Sequence, residues 1–118
     1  MYSTKTINTI NSRDFLKMYT LSYIIGKNGP AYGREILSNI RDKNGVWTPS
    51  HGSLYPLLED MVADNLLYID EEIGKRKYYK ATRKGRNHYK KVSEEFRNTL
   101  LITSEFYANM AEDLTVIE

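Results

Sequence analysis

Apolar residues recur at steps of three and four through most of the chain, and give way to strand-like runs in one place. Over residues 12–25, Phe15, Met18, Leu21 or Ser22, and Ile25 fall at helical spacing. Ser12 or Asn11 suits the cap of this first helix, and Asp14 suits its first turn. Gly26-Lys27-Asn28-Gly29 ends it. Pro30 suits the first turn of a second helix, whose buried side is Ile36, Leu37 and Ile40. Lys43-Asn44-Gly45 stops that helix, and Val46 and Trp47 form a short extended link. Thr48 or Ser50 caps a third helix with Leu54, Leu57, Leu58, Met61 and Val62 facing inward. Asn65 breaks it. Residues 66–73 and 77–81 read as strands around a turn at Gly74-Lys75-Arg76. Thr82 caps a last helix.

In that last helix Tyr89, Val92, Phe96, Leu100, Thr103, Phe106 or Tyr107, Met110 and Leu114 keep the helical step for about 30 residues. So small a domain has nothing to cover a stripe of that length. The usual cover is a second copy of the same helix. The pattern predicts a mainly α (α+β) fold, a winged helix-turn-helix with a two- or three-stranded wing and a long C-terminal dimerisation helix. Three parts are expected: a flexible arm over residues 1–11, a DNA-binding domain over 12–82 and a dimerisation helix over 83–118.

The chain has 118 residues, enough for one domain with a modest core. Its net charge is only +2, so bulk charge does not point to nucleic acid; its distribution does. Lys75, Arg76, Lys77, Lys80, Arg83, Lys84, Arg86, Lys90 and Lys91 run together with no acid among them. Acids gather apart from them, at Glu59, Asp60, Asp64, Asp70, Glu71 and Glu72. Such segregation makes a local positive face for phosphate.

Cysteine is absent, which removes disulfides, thiolate metal sites and a cysteine nucleophile. No apolar run approaches the roughly 20 residues of a membrane helix, and the N-terminal stretch is too polar for a signal peptide. A cytoplasmic protein with no membrane partner and no cofactor is expected. Enzyme readings lack parts. His51 and His88 have no ligating neighbours for a metal, and His51 and Ser53 lie two residues apart on a helix and do not face each other. Gly26-Lys27-Asn28-Gly29 lacks phosphate-loop spacing.

The DNA-binding candidates form two groups. Ser50, His51 and Ser53 at the start of the third helix have side chains short enough for a groove, with Thr48 just before them and Tyr55 one turn on. Lys75, Arg76 and Lys77 mark the hairpin tip. Tyr32 and Arg34, at the start of the second helix, are placed to hold the DNA backbone. The plainer alternatives are a helix cap for Ser50-His51-Gly52-Ser53 and a solvated charge run for the tip. Arg83, Lys84 and Arg86 oppose the dipole of the helix they open, which suggests an outside reason such as phosphate, although core demands at Thr82 and Gly85 also account for them. Tyr78 and Tyr79 cannot both be buried on one strand face. Ten tyrosines would suffice for an aromatic pocket between the domain and the last helix.

Five stretches fall together in order: Ala31-Tyr32-Gly33-Arg34-Glu35-Ile36, Gly52-Ser53-Leu54-Tyr55-Pro56-Leu57-Leu58, Asn65-Leu66-Leu67, Arg76-Lys77-Tyr78-Tyr79, and Thr82 with Gly85. In these the chain resembles the PadR-type transcriptional regulators, winged-helix repressors of bacteria and archaea. The resemblance is to the short-tailed members, with one dimerising helix after the wing. It implies a homodimer binding double-stranded DNA at a near-palindromic operator, with half-sites ~34 Å apart. Some drug-sensing relatives carry a tryptophan on the last helix; here the only tryptophan is Trp47. A small-molecule effector and a winged-helix protein-interaction module without DNA are the two competing functions.

Overall fold

A computed structural model of the chain describes residues 11–44 and 50–117. The arm over residues 1–10, the Val46-Trp47 link, Thr48 and the side chain of His51 lie outside the described residues.

Helix α1 spans Ser12–Lys27. Of the two cap candidates it is Asn11 that serves, its side chain accepting the Asp14 amide at 2.8 Å. The helix ends within the expected Gly26-Lys27-Asn28-Gly29 stretch, at Asn28, which lies in the left-handed region at φ 53° with its amide on the Ile25 carbonyl at 3.1 Å. The buried positions are Leu16, Met18, Thr20, Leu21 and Ile24. Phe15 and Ile25 are only half-buried, and Ser22 is exposed. The expected stripe is too narrow because α1 packs on three sides, against the third helix, the middle strand and the last helix.

Strand β1 is Ala31–Tyr32, and helix α2 spans Gly33–Asn44. Pro30 therefore lies outside the helix whose first turn it was expected to occupy. Residues 31 and 32 pair with a later strand, Ala31 opposite Tyr79 and Tyr32 opposite Tyr78. A strand partner satisfies backbone groups that a helix start would leave open. Ile36, Leu37 and Ile40 are buried as expected. Helix α3 spans His51–Ala63 and is capped by Ser50, whose Oγ accepts the Ser53 amide at 3.1 Å. It buries Leu54, Leu57, Leu58 and Met61, with Val62 half-buried. Asn65 turns the chain out at φ 63°.

Strands β2, Leu67–Ile73, and β3, Arg76–Ala81, form the wing hairpin, with Gly74 at φ +62° in its two-residue turn. The sheet order is β1-β3-β2, so the wing is three-stranded. A bulge between Ile69 and Glu71 leaves Asp70 without a place in the register. Tyr79 is buried and Tyr78 points to the other face, half-buried.

Helix α4 spans Arg83–Asp113. Thr82 caps it, accepting the Gly85 amide at 2.8 Å and donating to the Asn65 carbonyl at 2.6 Å. Lys84 donates to the Asp64 carbonyl at 2.9 Å, at the C-terminal end of α3. One of the misplaced cations thus serves a neighbouring helix dipole from within the chain. The first half of α4 lies along α1: Tyr89 donates to Ser22 at 3.2 Å, and Val92, Phe96 and Leu100 are half-buried. Thr103, expected on the open stripe, is buried within the chain. Leu100, Phe106 and Tyr107, three and four positions away, are long enough to cover it. Beyond it Phe106, Tyr107, Met110 and Leu114 are 38%, 63%, 51% and 61% exposed, so the stripe is most open toward the C-terminal end of the helix.

Candidate nucleic-acid interface

The hairpin brings its tip back over the start of α2. Lys75, Arg76 and Lys77 are exposed and share a groove of about 610 Å³ with Tyr32, Gly33, Arg34 and Tyr55. Six elements or turns thus meet at one surface: β1, α2, α3, β2 through Ile73, β3 and the wing turn. Glu59 is the acid of this groove, facing four cations. Ser50 and Ser53 do not line it. They stand exposed at the N-terminal end of α3, with their hydroxyls 3.1 Å apart. The cap reading of Ser50 is met, but a cap uses only one of the groups at that helix end.

Two contacts fix the groove's shape. The Arg76 guanidinium lies 4.1 Å over the Tyr32 ring. Tyr32 in turn meets Tyr78 edge-on, with ring centroids 5.5 Å apart at 64°. Tyr55 lies against Gly33: a Cβ built there would come within 2.6 Å of the Tyr55 ring. The motif glycine therefore makes room for the motif tyrosine of the next helix.

The outer strand is of opposite sign. Glu72 sits across from Lys77, and Asp70 lies 4.0 Å from Lys80. The positive charge of the wing is thereby confined to its tip and to β3.

Sequence reasoning missed a cluster behind this surface. Tyr23 donates to the Glu35 carboxylate at 2.6 Å, and Lys27 pairs with the same oxygen. Burial, and then the Glu35 carboxylate, push the Tyr23 hydroxyl up to about 12. The other Glu35 oxygen faces the Tyr32 amide at 3.4 Å. An acid three places past a helix cap, reaching back to the cap amide, is half of a capping box. That signal is present in the sequence, but a helix start at Pro30 is too early to use it. The Arg76–Tyr32 stack has no sequence signal. His88, the second histidine, has its pKa lowered by burial and by Lys17, Lys91 and Lys84, and it stands with no second ligand: no group of His, Cys, Asp and Glu fit for a metal occurs among the described residues. No helix among them is long and apolar enough to cross a membrane.

Comparison with curated proteins gives no match. Solved structures give several. A transcriptional regulator from Clostridium thermocellum is 26% identical, with 90% of this chain and 98% of that one covered and a TM-score of 0.66. A PadR family regulator from Eggerthella lenta is 24% identical over 80% of this chain and 83% of that one, at a TM-score of 0.63. A PadR family regulator from Clostridium difficile is 23% identical over 79% of this chain and 98% of that one, at 0.60. These last two speak for the winged-helix fold. The PadR-like family model matches residues 21–91, from α1 through the wing into α4. With more than half its length inside that match, the chain belongs to the PadR-like family of transcriptional regulators, which are not enzymes.

Proposed function

We propose that the protein is a cytoplasmic repressor that binds double-stranded DNA as a homodimer. Two α3 helices enter successive major grooves of a near-palindromic operator, and the wings touch the flanking backbone. Ser50, Ser53 and Tyr55 are the proposed readers of the DNA major groove, joined by Thr48 and His51 as candidates from the sequence. Tyr32, Arg34, Lys75, Arg76 and Lys77 hold the phosphates. The observation that carries this reading is the shared groove in which three wing cations meet Tyr32, Arg34 and Tyr55. Short polar side chains make few two-pronged base contacts, so part of the specificity comes from DNA shape. Residues 12–82 serve as the reader and residues 83–118, helical as far as Asp113, as the dimerisation segment, with residues 1–11 the expected arm.

The wing is tested by replacing Lys75, Arg76 and Lys77 together with alanine. Binding to all duplexes should weaken, and the slope of log affinity against log salt should fall by up to ~2.7, about 0.9 for each phosphate the wing no longer neutralises. Unchanged affinity and slope would leave the hairpin off the DNA and favour the protein-interaction module.

The open end of the α4 stripe supports the dimer. Light scattering at micromolar concentration should give about twice the 13.8 kDa of one chain. Met110→Glu should shift the protein toward monomer before the domain unfolds. A wild-type chain that stays folded as a monomer contradicts the proposal. A small-molecule effector is the second reading. It is favoured by a cleft of about 530 Å³ between α1 and α4, lined by Phe15, Met18, Tyr19, Tyr89, Phe96 and Leu100.

A further inference from the structure

The Glu35 carboxylate ties together two successive elements of the chain, α1 and β1. One oxygen accepts the Tyr23 hydroxyl at 2.6 Å and pairs with Lys27, both on α1. The other faces the amide of Tyr32 on β1, at 3.4 Å. The side chain is only 17% exposed, so both oxygens are engaged inside the protein. Burial alone would raise its pKa, but hydrogen bonds from Lys27 and Tyr23 outweigh burial and hold it below the ordinary carboxylate value. It is therefore charged at neutral pH. Tyr32 is the next link: its ring lies under the Arg76 guanidinium at 4.1 Å and against the Tyr78 ring.

An acid this close to a DNA-binding surface makes two opposite predictions. As a bare charge it repels phosphate, and its removal should tighten binding. As a clamp it fixes β1, and its removal should release the ring on which a wing cation rests. The geometry favours the clamp, because each of its partners is either on α1 or at the root of the wing. We propose that Glu35 is a positioning residue for DNA binding: it fastens β1 to α1 and so holds the Tyr32 ring that aims Arg76. This rests on the DNA-binding function proposed above.

A double-mutant cycle tests it, with affinities measured by fluorescence anisotropy on a duplex selected from random DNA. Glu35→Ala should weaken binding ~5- to 10-fold in the wild-type background and less than ~2-fold in the Arg76→Ala background. Glu35→Gln keeps one oxygen to accept the Tyr32 amide, and its NH2 group can donate to the Tyr23 hydroxyl oxygen in a reversed hydrogen bond, so it should recover part of the loss although the Lys27 pair is gone. Tyr32→Leu leaves the carboxylate in place and should weaken binding as Glu35→Ala does; it carries the cycle with Arg76→Ala should Glu35→Ala fail to fold. Tighter or unchanged binding by folded Glu35→Ala overturns the clamp. Losses that simply add to those of Arg76→Ala overturn it too, while leaving the role of the wing standing. An Arg76→Ala variant with undiminished affinity sinks the wing arginine as a DNA contact, and the clamp with it.

Discussion

Glutamate at position 53 is expected to abolish operator-specific binding while the fold and the dimer survive. Ser53 is exposed on the first turn of α3, and its amide is held by the Ser50 hydroxyl at 3.1 Å. It is the third residue of the helix, the place where an acid completes a capping box and suits the helix dipole. The substitution should therefore strengthen the helix start, and the melting temperature should stay level or rise slightly. The same carboxylate, pushed toward two phosphate backbones, has no partner there. Affinity for the operator should drop to the non-specific level, a loss of ~10³-fold or more. Footprinting and a thermal melt on the same preparation separate the two effects. If the variant footprints the wild-type operator with wild-type affinity, α3 does not enter the groove, and the protein-interaction reading takes first place.

The largest loss of stability is expected from Gly85→Ala. A Cβ at Gly85 would lie 2.1 Å from the carbonyl oxygen of Leu66, and that neighbour is backbone. No side chain can swing away, so α4 must lift from the α3–β2 turn. Thr82 binds that same turn through the Asn65 carbonyl, and Lys84 does so through the Asp64 carbonyl. Lifting the helix breaks these hydrogen bonds together. A cost of about 3 kcal/mol or more follows, seen as a fall in melting temperature of roughly 10 °C. Gly26→Ala is the matched control. Gly26 lies inside α1 with nothing within 4 Å of an added Cβ, so the same change should stabilise by about 0.5–1 kcal/mol. Equal effects at the two sites would mean that helix propensity, and not the close approach, controls Gly85.

Much of this fold could be read from local chemistry. Ser50 and Thr82 cap the helices they were expected to cap, because a hydroxyl three residues ahead of an amide needs no distant help. Leu54, Leu57, Leu58 and Met61 declare their buried face by spacing alone. The errors have a common cause. β1 is two residues long, too short for any period, and exists only because β3 lies beside it. Pro30 is a strong local signal for a helix start that strand pairing overrides. The wing cations stand out in the sequence as a group, but the ring under Arg76 and the carboxylate behind that ring come from residues dozens of positions away. Thr103 keeps the helical step and is still buried, since spacing tells which face a residue is on and not what its neighbours cover.

The bulge in β2 bears on how the protein behaves at high concentration. β2 is the outer strand of the sheet, and its far side offers a row of amides and carbonyls with no neighbouring strand among the described residues. Exposed Tyr68, Ile69 and Ile73 would make such an edge adhesive toward another sheet. The displaced Asp70 breaks the regular row midway, and Asp70, Glu71 and Glu72 place three negative charges where an incoming strand of the same sequence would bring three more. The sheet edge of one copy thus repels that of another, and strand-to-strand growth into filaments is opposed by charge.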